Sequence, residues 1–196
     1  MTQARTTRRT VRPEERRQDI LEAALTLFAE RGYRGASLAT IAEKAGLTQQ
    51  GLLHYFPSKE RLLTEVLRLR DERDMAATGT ADTTLDALAR IVELNQERRG
   101  MVQSYTVLSA DSVTEGHPAR DFFTERYERL RLELAKVVRA ELGDSPRAGM
   151  TPETAATLLI AVMDGLQLQW LLSDETVDMA GAFRGMLELL RTHPSG

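Results

Sequence analysis

The chain has 196 residues, 42% of them hydrophobic and 28% charged, enough to bury a sizeable core in one domain or two small ones. It contains no Cys, which removes disulfide frameworks, thiolate metal sites and thiol nucleophiles and suits a reducing cytoplasm. The net charge of -3 conceals an asymmetry: residues 1–70 hold 13 Lys and Arg against 8 Asp and Glu, while residues 71–196 hold 13 against 21, so only the first part is suited to meet a polyanion.

Arg5, Arg8, Arg9 and Arg12 stand among Thr, Gln and Ala with little apolar material to fold around. Residues 1–13 therefore read as a basic arm, disordered when free and compatible with ordering on phosphates or in a minor groove. No apolar signal segment follows it, and the longest charge-free apolar run, Thr154 to Met163, is far shorter than the roughly 20 residues of a membrane span. A cytoplasmic protein without membrane contact is expected.

Pro13 with Glu14 and Glu15 suits a first helical turn, where proline needs no amide partner and carboxylates meet the positive end of the helix dipole. Ile20, Ala24, Leu27 and Phe28 then recur on one helical face until Gly32, expected to end the helix. Ser37 is placed to cap a short second helix carrying Leu38, Ile41, Ala42 and Ala45, which Gly46 stops. Thr48 caps a third, with Leu52 and either Tyr55 or Phe56 inward, and Pro57 forbids its continuation. Ser58 opens a fourth that carries Leu62, Leu63, Val66, Leu67 and Leu69 toward a polar stretch at Thr78 to Thr84.

Further helical periodicity runs through Leu85, Leu88 and Val92, then through Phe123, Tyr127, Leu130, Leu134 and Val137. Residues 143–149 read as loop. Thr151-Pro152-Glu153 is cap, first-turn proline and first-turn acid of a helix to about Leu172 that is apolar nearly all round, so it must be covered on every side, centrally or by a partner chain. A last helix carries Met179, Phe183, Met186, Leu187 and Leu190. The fold class expected is all-α, with no strand signal.

Two short helices around Gly46-Leu47-Thr48 have the layout of a helix-turn-helix, with Ala42 at the close approach and Ile41, Leu47 and Leu52 as buried contacts. The second helix offers Thr48, Gln49 and Gln50 to base edges or phosphates in a major groove, where a glutamine amide can pair with adenine. Gly51 keeps that surface low. Lys59, beside the Ser58 cap at a positive helix end, makes an anion site suited to a DNA phosphate. Thr40 and Ser37 are weaker backbone candidates. Tyr55 either completes the small core or touches a phosphate, and His54 faces solvent or DNA.

From Ile20 through Phe28, Gly32, Ser37, Ile41-Ala42 and Ala45-Gly46-Leu47-Thr48 to Phe56-Pro57-Ser58-Lys59-Glu60 and Leu62, the chain resembles the N-terminal domain of TetR-type transcriptional regulators. The resemblance covers residues 14–62. It implies a three-helix DNA-binding domain, here 14–60, followed by a larger helical ligand-binding and dimerisation domain, 61–196. It also implies a homodimer that binds double-stranded operator DNA and releases it when a small molecule binds. Where the family often has a DNA-touching Tyr this chain has Leu53, which moves that role to His54 and Tyr55.

A single helix-turn-helix contacts few base pairs, so specificity calls for two copies on half-sites about 34 Å apart on a palindromic operator. The helices at 151–172 and 177–191 are the best pairing surface. Tyr105, Phe122, Phe123, Tyr127, Met163, Gln167 and Trp170 are the candidates for a pocket that takes a small apolar effector, against the plainer reading of such stripes as core. Gln167 and Gln169 need partners if buried, from a pocket or from each other across a dimer. His54, His117 and His193 lie far apart without ligand spacing, and there is no nucleotide-binding fingerprint, so neither an enzyme nor a metal or cofactor is expected. The alternative is a DNA-binding dimer controlled by a protein partner, without an effector.

Overall fold

The computed structural model describes residues 12–78, 84–146, 149–173 and 175–191, so Arg5, Arg8 and Arg9 of the expected arm lie outside it, as does His193. The described residues form nine helices and no strand: α1 (Pro13–Gly35), α2 (Leu38–Lys44), α3 (Gln49–Tyr55), α4 (Lys59–Thr78), α5 (Leu85–Gln96), α6 (Arg99–Ser112), α7 (Arg120–Leu142), α8 (Pro152–Leu172) and α9 (Met179–Arg191). Sequence periodicity misses α6, whose amphipathic pattern is diluted by Gly100, Gln103, Ser104 and Thr106.

Local chemistry sets the helix boundaries. Pro13 occupies the first turn of α1, and the Glu15 carboxylate accepts from the Arg12 backbone N–H at 3.3 Å. Gly32, at φ +65°, interrupts α1, after which one more turn carries the chain to Gly35. Ser37, Thr48, Thr84 and Thr151 cap α2, α3, α5 and α8, each side chain accepting a backbone N–H three residues on. At the end of α2, Gly46 takes φ +69° while Leu47 N–H reaches Ala42 O at 2.8 Å and Gly46 N–H reaches Glu43 O at 3.0 Å. That pair of bonds closes the helix and turns the chain into α3, a geometry open to glycine at little cost.

Two hydrophobic clusters hold the helices. The first joins α1 to α4 through Ile20, Ala24, Phe28, Ile41, Leu52, Leu62 and Leu63, and extends to Tyr105 and Leu108 of α6 and Phe123 of α7. The second gathers Leu85, Val92, Leu134, Val138, Ala155, Leu159, Trp170, Phe183 and Leu187 from α5 and α7–α9. Each fully buried Leu, Ile or Phe stabilises by roughly 1.5–3 kcal/mol relative to its exposed state. The long contact of α1 along α6 ties the N-terminal helices to the rest, and α7 pairs lengthwise with α8.

Helix α8 is long and apolar enough to cross a membrane by length and composition, yet it packs against α6, α7 and α9. It is not covered all round within one chain. Leu158, Leu168 and Leu172 are 38%, 49% and 80% exposed, and Leu189 of α9 is 58% exposed.

Candidate functional site

Helix α3 stands on Leu52, which is fully buried, and on Phe56, whose N–H closes the helix onto Leu52 O at 3.0 Å. The Arg17 guanidinium lies 5.3 Å from the Phe56 ring centroid and binds Glu65 at 2.5 Å, so α1 and α4 clamp the exit of α3. With the inward side anchored, Thr48, Gln49 and Gln50 at its N-terminus are exposed. Thr48 Oγ1 accepts from Gly51 N–H at 3.1 Å, and a Cβ added at position 51 would sit 3.3 Å from that oxygen. Gly51 therefore leaves room for the cap as well as for a close partner surface.

The remaining candidates flank this helix. Ser37 and Thr40 share a hydroxyl–hydroxyl bond of 2.8 Å, and Ser37 Oγ accepts from Thr40 N–H at 3.1 Å, so both are committed to capping α2. His54 is exposed, its ring edge-on to Tyr55 at 5.9 Å. Tyr55 is half-buried against the first cluster, and Leu53 is half-buried too.

Lys59 sits in the first turn of α4, its ammonium 4.4 Å from the centroid of the Tyr33 ring. Burial holds its pKa below the usual lysine value, against an opposing pull from Glu60. Tyr33 itself donates from its hydroxyl to Glu60 at 2.9 Å, and its backbone N–H donates to Asp111 of α6 at 3.3 Å. Neither Tyr33 nor Asp111 is flagged by sequence pattern, because their pairing spans 78 residues.

A second site lies in the C-terminal helices. A cavity of about 370 Å³ is lined by Tyr105, Thr106, Ser109, Ala110 and Val113 of α6 and its end, by Tyr127 of α7, and by Asp164, Gly165, Gln167 and Leu168 of α8. Of the seven pocket candidates, Tyr105, Tyr127 and Gln167 come together on this lining. Phe122 and Phe123 pack in the first cluster, with the Phe123 ring edge-on to Tyr105 at 5.2 Å. Met163 and Trp170 pack in the second, where the Arg99 guanidinium lies 5.1 Å from the Trp170 ring. Gln167 is buried and Gln169 is exposed, bonded back to Gly165 O. Asp164 is the residue that pattern reading passes over, although an acid in the interior of an apolar helix, beyond the first-turn Glu153, is a legible signal.

The cavity is wired to α4. Tyr105 donates its hydroxyl to the buried Asp71 carboxylate at 2.8 Å, and Asp71 also accepts from Arg126 and, at 3.0 Å, from Arg129 of α7. A wall of the cavity thus touches the helix that begins with Lys59.

Comparison with known proteins bears on both sites. The family model described as bacterial regulatory proteins, tetR family, matches residues 20–66, and the model described as BetI-type transcriptional repressor, C-terminal, matches residues 80–193. The HTH-type transcriptional regulator TtgR of Pseudomonas putida is 28% identical over 93% of this chain and 94% of its own length. The HTH-type transcriptional repressor KstR2 of Rhodococcus jostii is 30% identical, the match spanning 59% of this chain and about half, 52%, of that protein. A solved structure from Saccharomonospora viridis, described as a transcriptional regulator in complex with choline, superposes with a TM-score of 0.73 at 26% identity, covering 92% of this chain and 97% of the other.

Proposed function

The chain belongs to the TetR family of bacterial regulatory proteins and is a DNA-binding transcriptional regulator, and from that premise we propose that it is a cytoplasmic homodimeric repressor, released from a palindromic operator by a small molecule held among α6, α7 and α8. Residues 14–60 read the DNA and residues 61–196 sense and dimerise. Gln49 and Gln50 contact base edges, Thr48 and Lys59 contact phosphates, and His54 and Tyr55 take the backbone role that Leu53 cannot fill. Exposed apolar residues on α8 and α9 support pairing of those helices with their copies.

The observation that carries the ligand-gated reading is the hydrogen bond from cavity-lining Tyr105 to Asp71 of α4. An effector switches DNA binding only by favouring one of two geometries, and Tyr105 gives cavity occupancy a direct mechanical consequence at α4. Control by a protein partner makes no use of such a cavity. Selection of bound fragments from random DNA supplies the operator and its dyad spacing. Titration of the complex with small molecules then tests release: a ligand that occupies the cavity and leaves operator affinity unchanged rejects the gated mechanism.

A further inference from the structure

Resting on the reading that α3 lies in a major groove with Gln49 and Gln50 at base edges, we infer that Leu53 is a further specificity-determining residue, whose side chain packs on the C5 methyl group of a thymine.

Between Ala36 and Phe56, the large apolar side chains Leu38, Ile41, Leu47, Leu52, Tyr55 and Phe56 all pack in the first hydrophobic cluster, which holds the helix-turn-helix together. Leu53 is the exception. It is half-buried, and among the described residues it packs in neither cluster. Helix geometry explains the difference. At about 100° per residue, Leu52, Tyr55 and the capping Phe56 share the inward side of α3, while Leu53 falls between the directions of Gln49 and Gln50, one turn further along. Gln49, Gln50 and His54 on that outer side are exposed. The core of the domain thus makes little use of Leu53, and the helix carries it beside the two amides.

Chemistry then selects its partner. A leucine side chain has neither donor nor acceptor, so it gains nothing from a phosphate. Against a cytosine amino group or a purine edge it strips water from polar atoms without replacing the hydrogen bonds. The C5 methyl of thymine is the apolar group that base pairs present in the major groove. Burying one such methyl against Leu53 raises affinity about fourfold, and a symmetric operator presents it twice. Three to four helical residues span about 4.5–6 Å, against about 3.4 Å per base-pair step, so the thymine lies one or two base pairs from the one that Gln50 meets.

The test uses the full-length protein and an operator obtained by selection from random DNA. Each thymine is replaced in turn by deoxyuridine, symmetrically in both half-sites, which deletes the methyl group and leaves the pairing edge unchanged. Affinity is read by fluorescence anisotropy at fixed salt. At one thymine, within about two base pairs of the position where Gln50→Ala relaxes preference, the replacement should weaken the parent about tenfold. Leu53→Ala should bind the thymine and uracil operators equally, and Leu53→Met should keep the preference. Both variants should retain the parent's melting temperature and its affinity for non-specific DNA, because Leu53 lies outside both clusters. A parent insensitive to every methyl, a Leu53→Ala protein that keeps the penalty at the same thymine, or one that loses non-specific binding as strongly as operator binding overturns the assignment. If Gln50→Ala still relaxes one position in those cases, the base-reading helix stands without Leu53. A parent that selects no sequence overturns both.

Discussion

The Lys59 ammonium lies over the face of Tyr33, 4.4 Å from the ring centroid, at the seam where α1, α4 and α6 meet. The ring restrains a flexible side chain in advance, which would lower the entropy lost in the phosphate contact proposed for it. Lys59→Ala should weaken binding to all sequences alike and lower the salt slope of log K by about 0.9, one phosphate's worth of counterion release. Tyr33→Leu should cause a smaller uniform loss with the slope intact, because the charge remains. Filter binding or fluorescence anisotropy across a salt series checks both, and an unchanged slope for Lys59→Ala removes the lysine from the interface.

The contact proposed for Gln50 is of a different kind. It is exposed in the first turn of α3, behind a capped and anchored helix start, where an amide can meet a base edge. Gln50→Ala should cost roughly 1–3 kcal/mol on the preferred operator and almost nothing on non-specific DNA, and it should relax preference at one base position. Competition against single-base operator variants reads this out. Equal losses on every sequence would move Gln50 into the same class as Lys59.

The N-terminal helices were legible from residues because their determinants are local: Ser37, Thr48 and Ser58 each cap a helix three residues from the N–H they accept, and Gly46 turns where only a few residues separate two apolar runs. The cavity was half legible. Tyr105, Tyr127 and Gln167 could be named as candidates, but aromatic spacing alone did not separate them from Phe122, Phe123, Met163 and Trp170, whose neighbours come from distant helices. Asp71 carried no local signal, since its partners Tyr105, Arg126 and Arg129 lie 34, 55 and 58 residues away.

That Asp71 cluster yields a coupling prediction. Tyr105→Phe keeps the ring, its edge contact with Phe123 and the cavity wall, and deletes only the hydroxyl donated to α4. Asp71 retains two arginine donors, so the cost in stability should be about 1 kcal/mol. Effector affinity should change little, while the ratio of operator affinities without and with effector should shrink severalfold. A variant that switches as well as the parent would show that the signal reaches α4 by another route.

Buried His117 gives the fold a pH dependence. Its Nδ1 accepts from Ala119 N–H at 3.2 Å, which places the ring proton on Nε2, 3.8 Å from Asp111 Oδ2. Protonating Nδ1 would break the bond to Ala119. Desolvation lowers its pKa from 6.5, the Asp111 charge opposes this, and Arg34 adds to the lowering; Tyr33 covers the ring edge-on. The unfolded chain therefore binds this proton more readily than the folded one. Stability is unaffected at high pH, falls as pH drops below 6.5, and levels off below the folded pKa. Melting temperatures across pH 8 to 5 should show that loss in the parent, and His117→Gln should flatten the portion just below 6.5. An identical profile for both proteins would assign the acid sensitivity to other groups.

Dimerisation should be separable from folding at the end of α8. Leu172 is 80% exposed and lies in register with Leu158, Ala161, Gly165 and Leu168 on one side of the helix. An arginine there sits in the last turn, where a cation suits the negative end of the helix dipole, so the isolated subunit should lose almost no stability. In a symmetric pair of α8–α9 faces, however, each substitution occurs twice and two guanidinium groups must be desolvated near one another. Leu172→Arg should weaken self-association at least about tenfold and convert cooperative binding of a two-half-site operator into weak binding of single half-sites. Sedimentation equilibrium and operator titration check the two consequences independently. If the variant stays as tightly dimeric as the parent while Leu158→Arg dissociates, the interface lies toward the other end of α8; if neither dissociates, that face does not hold the subunits together.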